Sequence, residues 1–104
     1  MKLETTFNKE YYYVDSDKLL YISRDSRNTV YHLPDIKVIS TTPLDKINLP
    51  NNFVCCHVSF FVNVDYIYRL SKTEIELTNG KIIPISRQKQ NDAIEIIRKK
   101  ILDD

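Results

Sequence analysis

The sequence predicts a mainly β protein with one substantial helix near its C-terminus. Three observations carry that expectation. Apolar and polar residues alternate with period two over much of the stretch from 10 to 87, the spacing of strands with one wet face. The only glycine among the 104 residues, Gly80, follows Asn79, and Asn-Gly signals a hairpin because a type I′ turn needs positive φ at both central residues. From Gln90 to Leu102, residues Ala93, Ile94, Ile97 and Ile101 recur at helical spacing opposite Glu95, Arg98 and Lys99.

Taken in order, Glu10 to Val14 and Leu19 to Ser23 are rich in tyrosine and aliphatic residues and read as strands, separated by the turn-like Asp15-Ser16-Asp17-Lys18. A polar loop from Arg24 to Thr29, tipped with two arginines, leads into an extended Val30-Tyr31-His32-Leu33, and Lys37 to Ser40 forms the next strand. Thr42 is placed to cap a short helix over Pro43 to Ile47, since proline is favoured in a first turn. Pro50 ends that segment and a strand from Phe53 to Ser59 follows. The hairpin around Asn79-Gly80 joins Thr73–Thr78 to Lys81–Ser86, where Pro84 cannot donate to a ladder and therefore marks an edge or a bulge. With no repeat, low-complexity segment or linker, residues 1–104 are expected to form a single domain.

Composition narrows the function classes without naming one. A 42% hydrophobic and 28% charged chain of this length closes one core. Uninterrupted apolar runs stay well below the roughly 18 residues of a membrane span, and no signal peptide opens the chain, so a soluble, cytoplasmic protein is expected. Adjacent Cys55 and Cys56 suit free thiols in a reducing compartment, because neighbouring cysteines do not easily reach disulfide geometry. The net charge of +1 argues neither for nor against nucleic acid; only a local concentration of cations decides. Neither an enzyme nor a metal or cofactor site is expected. Cys56 and His57 on an extended strand point to opposite faces, His32, Cys55, Cys56 and His57 match no zinc spacing, and one glycine cannot build a phosphate loop.

One stretch is more specific. It opens Asn52-Phe53-Val54-Cys55-Cys56-His57-Val58-Ser59-Phe60-Phe61-Val62-Asn63 and closes Leu77-Thr78-Asn79-Gly80-Lys81-Ile82-Ile83-Pro84-Ile85-Ser86-Arg87. Order and spacing resemble the signature of the LytTR family of bacterial DNA-binding domains. Leu19-Leu20-Tyr21-Ile22 with His32-Leu33, and Thr42 to Pro50, resemble its earlier blocks, so the likeness covers most of the chain. The resemblance implies an elongated stack of small antiparallel β-sheets, with a short helix near 43–47 and a C-terminal helix. It implies sequence-specific binding of double-stranded DNA through loops inserted in successive major grooves, in the manner of transcription regulators and response-regulator output domains. Repeated half-sites, a receiver domain upstream or a homodimer on DNA belong to the same expectation.

Carried over residue by residue, the resemblance nominates three segments. In the first, Asn28 or Thr29 faces a groove while Arg24 and Arg27 reach phosphates; asparagine can read adenine bidentately. The second is the turn around His57-Val58-Ser59. The third is Arg87 with Gln88 and Lys89, where the arginine can fork onto guanine and the lysine supplies phosphate charge. Lys37 and Lys81 are further candidates for backbone contacts. Family members often carry arginine or another polar residue where this chain has Val58 and Cys55, which implies weaker binding or altered preference unless Val58 meets a thymine methyl. The resemblance also places an aliphatic position at Cys56, so Cys56 is expected in the core and Cys55 accessible.

Blander readings stand beside these. His57 reads equally as a half-buried histidine bonded to backbone, His32 as structural, and Asn63 as a residue satisfying backbone groups at a turn. A protein-interaction module using Tyr11-Tyr12-Tyr13 or the C-terminal helix, with weak or lost DNA binding, is the alternative function. A small barrel binding single strands on exposed tyrosines is a third.

Overall fold

The alternating segments form strands β1 (Lys2–Phe7), β2 (Glu10–Asp15), β3 (Tyr21–Asp25), β4 (Asn28–His32), β5 (Lys37–Ser40), β6 (Phe53–His57), β7 (Phe60–Asn63), β8 (Ile67–Leu70), β9 (Glu74–Leu77) and β10 (Ile82–Pro84), followed by helix α1 (Gln90–Leu102). They are seen in a computed structural model that describes residues 1–103. All pairings are antiparallel: β1 with β2, a central five-stranded sheet in the order β5-β4-β3-β7-β6, and a three-stranded sheet in the order β10-β9-β8.

Period-two alternation gives the central sheet two apolar faces, and each is covered. Ile22, Tyr31 and Phe53 pack with Leu3 and Val14 of the β1–β2 hairpin and with Leu19 and Leu44. Tyr21, Val54, Cys56 and Val62 pack with Ile75, Leu77 and Ile83 of the smaller sheet and with Ala93 and Ile97 of α1. Ile22, Val62, Ile75, Ile83 and Ile97 are wholly buried, each stabilising the fold by about 1.5–3 kcal/mol relative to exposure. The result is a stack of layers measuring 40 × 27 × 23 Å, the mainly β, elongated arrangement expected from the sequence.

Helix α1 has the expected bounds, but Ile101 is 43% exposed and does not join the apolar face. Three strands lacked a legible signal: β1, β7 and β8. Their partners supply what their own patterns do not; β7, for example, is fixed between β3 and β6 by pairing on both edges. The strand expected to run to Ser59 ends at His57 instead, after a bulge between Cys55 and His57.

Several turns depart from expectation. Asn79 does not take positive φ and only Gly80 does, at +89°, so the hairpin turn is not type I′. Gly80 N–H donates to Leu77 C=O and Leu77 N–H to Lys81 C=O, the pattern of a three-residue loop with its left-handed position at glycine. The type I′ geometry occurs instead at Asn8-Lys9, with φ of 53° and 64°, between β1 and β2. The loop from Arg24 to Thr29 shrinks to Ser26-Arg27, because Arg24 pairs with Thr29 and Asp25 with Asn28, and Ser26 takes a φ of 58° to close the turn. The short helix is a 3-10 turn over Leu44–Lys46 with Pro43 at the cap and no capping side chain; Thr42 does not cap it, its N–H donating to Ser40 Oγ and its C=O accepting from Thr29 Oγ1. Pro84 lies on the edge strand β10, where no ladder donor is required.

Asn63 ties the layers at one end of the central sheet. Wholly buried, it donates from Nδ2 to Leu19 C=O at 2.8 Å, while Oδ1 accepts from Asp65 N–H at 2.9 Å and from Asn52 Nδ2 at 2.9 Å. It satisfies backbone groups at a turn, as its sequence position suggests.

Candidate nucleic-acid interface

Strand direction decides which segments meet. Because β3 and β7 are antiparallel with Ser23 opposite Phe60, the Ser26-Arg27 turn and the Val58-Ser59 turn emerge at the same end of the central sheet. Arg24 N–H donates to Ser59 C=O at 2.9 Å and joins these two turns. Ser86 N–H donates to Cys56 C=O at 2.9 Å and brings the segment after β10 against β6. There Arg87, Gln88 and Lys89 form a 3-10 turn leading into α1; the sequence put them at the end of a strand running to Ser86, but β10 stops at Pro84. All three nominated segments are thus linked by backbone bonds.

Within that end the side chains differ in availability. Arg24, Arg27, Val58, Arg87 and Gln88 are exposed, and Asn28 and Lys89 are half-buried. Among the described residues none of Arg24, Arg27, Arg87 and Lys89 forms an ion pair; the side-chain pairs are those of Arg69 with Glu74 and Glu76. Thr29 must be withdrawn from the interface: it is 1% exposed and its hydroxyl donates to Thr42 C=O at 2.7 Å, because its strand position turns it inward. His57 takes an intermediate role. Its Nδ1 accepts from Ser59 N–H at 3.0 Å and its ring meets Phe60 edge-on, so it shapes the turn through one nitrogen and leaves Nε2 available. Val58 is 61% exposed at the tip of the turn, where an apolar side chain has no internal reason to be.

The cysteines sort as expected. Cys56 is fully buried, and that burial, with the neighbouring Cys55, pushes its thiol up to about 12; Cys55 is half-buried and its Sγ donates to His57 C=O at 3.4 Å.

Lys37 and Lys81 lie beside the first segment. They border a cleft of about 420 Å³ on the open part of the central sheet, with Arg24, Tyr21, Ser23, His32 and Phe60. His32 stacks on Tyr21 with centroids 3.9 Å apart and its Nε2 bonds Ser23 Oγ at 2.8 Å, while Lys81 Nζ lies 5.9 Å from the Tyr21 ring centre. Burial, then the charges of Lys37 and Lys81, push His32 down to about 4, so it stays neutral at neutral pH and serves structure. Ser59, part of the nominated second turn, links two turns through its carbonyl, and Ser26, within the first loop, closes one; what the sequence did not signal is Ser26's positive φ, since it is neither glycine nor asparagine.

The model of the LytTr DNA-binding domain matches residues 9–98, which include every residue of the three segments. The chain belongs to the LytTR family. That makes it a DNA-binding domain of the kind used in transcription regulation. Among solved structures, the LytTr DNA-binding domain of a protein described as a methyl-accepting/DNA response regulator from Bacillus cereus superposes with a TM-score of 0.73 at 20% identity, covering 97% of this chain and 95% of that one. It shares the LytTR fold. No curated protein matches the chain. Among the described residues no helix is long and apolar enough to cross a membrane, and no cluster of three or more histidine, cysteine, aspartate or glutamate side chains is placed to hold a metal.

Proposed function

We propose that this domain binds double-stranded DNA sequence-specifically, as one unit, by inserting its three linked segments into successive major grooves. The observation that carries the reading is the gathering of unpaired cations at one end of the central sheet, held there by the Arg24–Ser59 and Ser86–Cys56 backbone bonds. Arg87 forks onto guanine, and Asn28 reads a base edge. Arg24, Arg27 and Lys89 neutralise phosphates, and Gln88 and His57 Nε2 offer polar contacts at the rim. Val58 packs on a thymine methyl, replacing the polar contact frequent in the family. Repeated half-sites, a receiver domain upstream and action in the cytoplasm complete the reading. Lys37 and Lys81 share a cleft with Arg24 and add charge along the flank of the first segment.

The decisive measurement is fluorescence anisotropy on a selected operator and on mixed duplex at two salt concentrations. Arg87→Ala should weaken operator binding by about 1–3 kcal/mol and leave folding intact, whereas Lys89→Ala should weaken all duplexes alike and reduce the salt slope by about one counterion. Arg87→Lys should not restore discrimination, since an ammonium lacks the planar fork. Undiminished operator affinity in folded Arg87→Ala would overturn the assignment.

A further inference from the structure

Among the described residues strand β2 has a partner on one edge alone: it pairs with β1 and with no other strand. Which of its backbone groups remain free follows from parity. Ser16 N–H donates to Met1 C=O at 2.8 Å, fixing that row as hydrogen-bonded, so the rows Leu3–Val14, Thr5–Tyr12 and Phe7–Glu10 are hydrogen-bonded as well. The amide and carbonyl groups of Tyr11 and Tyr13 therefore face away from β1. Exposed strand edges are normally blunted by lysine, proline, a bulge or a covering loop. None occurs within Glu10–Asp15; Tyr11, Tyr12 and Tyr13 are instead 65%, 38% and 63% exposed.

We infer that two copies of this domain join edge to edge through β2, antiparallel and centred on Tyr12. Parity allows only registers in which Tyr11 and Tyr13 fall in hydrogen-bonded rows, and chemistry selects among them. Centred on Tyr12, each Tyr11 faces the Tyr13 of the second copy in a row that exchanges two backbone bonds, and Lys9 comes opposite Asp15. Centred on Tyr13, Tyr11 faces Asp15 in place of a tyrosine and Lys9 falls opposite Asp17, which has left the strand for a 3-10 turn. Centred on Tyr11, Val14 and Asp15 are left unpaired. A shift by one residue places Glu10 against Asp15, like against like, and aims the free amides at nothing. The Tyr12 register thus joins two β1–β2 hairpins into one continuous sheet whose outer face carries paired tyrosines, with Lys9 of each turn brought near Asp15, whose Oδ1 also accepts from Asp17 N–H. The association stands without DNA; only its use in spacing two half-sites rests on the function proposed above.

The test is made on the full chain without DNA. Sedimentation equilibrium from micromolar to millimolar protein should give a mass rising toward twice the monomer, and Tyr11→Lys/Tyr13→Lys, which sets lysines opposite one another, should remain monomeric with an unchanged circular dichroism spectrum. In a Cys55→Ser background, Tyr12→Cys should oxidise to a covalent dimer faster than Tyr11→Cys or Tyr13→Cys, because only a residue on the two-fold faces its own copy at disulfide distance. A monomer at every concentration, self-association that survives the double lysine variant, or faster cross-linking at position 11 or 13 overturns the inference.

Discussion

The two ends of the central sheet hold the same residue types and use them in opposite ways. At one end Asn63 has every polar atom bonded to Leu19, Asp65 and Asn52, and His32 is stacked on Tyr21 and bonded to Ser23. At the other, Asn28, Arg24, Arg27 and Arg87 lie at or beside turns without an ion pair among the described residues, and His57 commits one nitrogen and keeps the second. The difference teaches that residue type alone does not mark a binding site. A polar group bonded inside the protein holds the fold; one held in place by backbone bonds and left uncommitted is available to a partner.

The sharpest way to break this contrast is Asn63→Ala. It leaves Leu19 C=O and Asp65 N–H without partners, at about 1–3 kcal/mol for each group that water cannot reach. Urea denaturation should register a large loss of stability, while the folded fraction keeps its duplex affinity. Stability close to wild type would show that the bonds at this end do not hold the layers.

His32 makes the same end sensitive to acid. The unfolded chain binds a proton with a pKa of 6.5 that the folded chain refuses until about 4, so stability present above about pH 6.5 is lost progressively as the pH falls toward 4. His32→Phe keeps a ring against Tyr21 and removes the titration. Its melting temperature should fall less steeply across that window than wild type's, and parallel curves would assign the acid sensitivity to other groups.

A smaller effect is expected within one turn, where the contrast is compressed into neighbours. Thr29→Val strands Thr42 C=O and should cost about 1 kcal/mol of stability with no change in operator preference. Asn28→Ala should do the reverse, sparing the denaturation midpoint and relaxing discrimination at one base pair. If both variants alter DNA preference alike, the burial of Thr29 does not separate folding from reading.

Much of the fold was legible because alternation and helical spacing are local. The bounds of α1 and β5 and the pairing of β9 with β10 follow from such patterns. β1, β7 and β8 were not legible, since β7 is Phe60-Phe61-Val62-Asn63, too short and too apolar to show a period, and is defined by its neighbours. Turn chemistry misled in both directions: Asn79-Gly80 adopts a three-residue loop, while Asn8-Lys9 and Ser26-Arg27 close two-residue turns without glycine. At the candidate site, the family signature pointed to segments that the fold brings together but did not separate Asn28 from Thr29. That distinction depends on a strand register that continues to Asp25 and Asn28, and the polar composition of the segment hides it.

The smallest effect concerns the cysteines, where nothing need be destabilised to test the register of β6. Cys56 faces the core between Val54 and the smaller sheet, and burial pushes its thiol up to about 12, which leaves almost no thiolate near neutrality. Cys55 is on the opposite face of the strand and half-buried. A thiol reagent should therefore modify Cys55 in the native protein and Cys56 only after denaturant is added, as read by peptide mass spectrometry. The reverse order would displace β6 by one residue and carry His57 to the wrong face with it, and the turn that links Arg24 to Ser59 could not form as described.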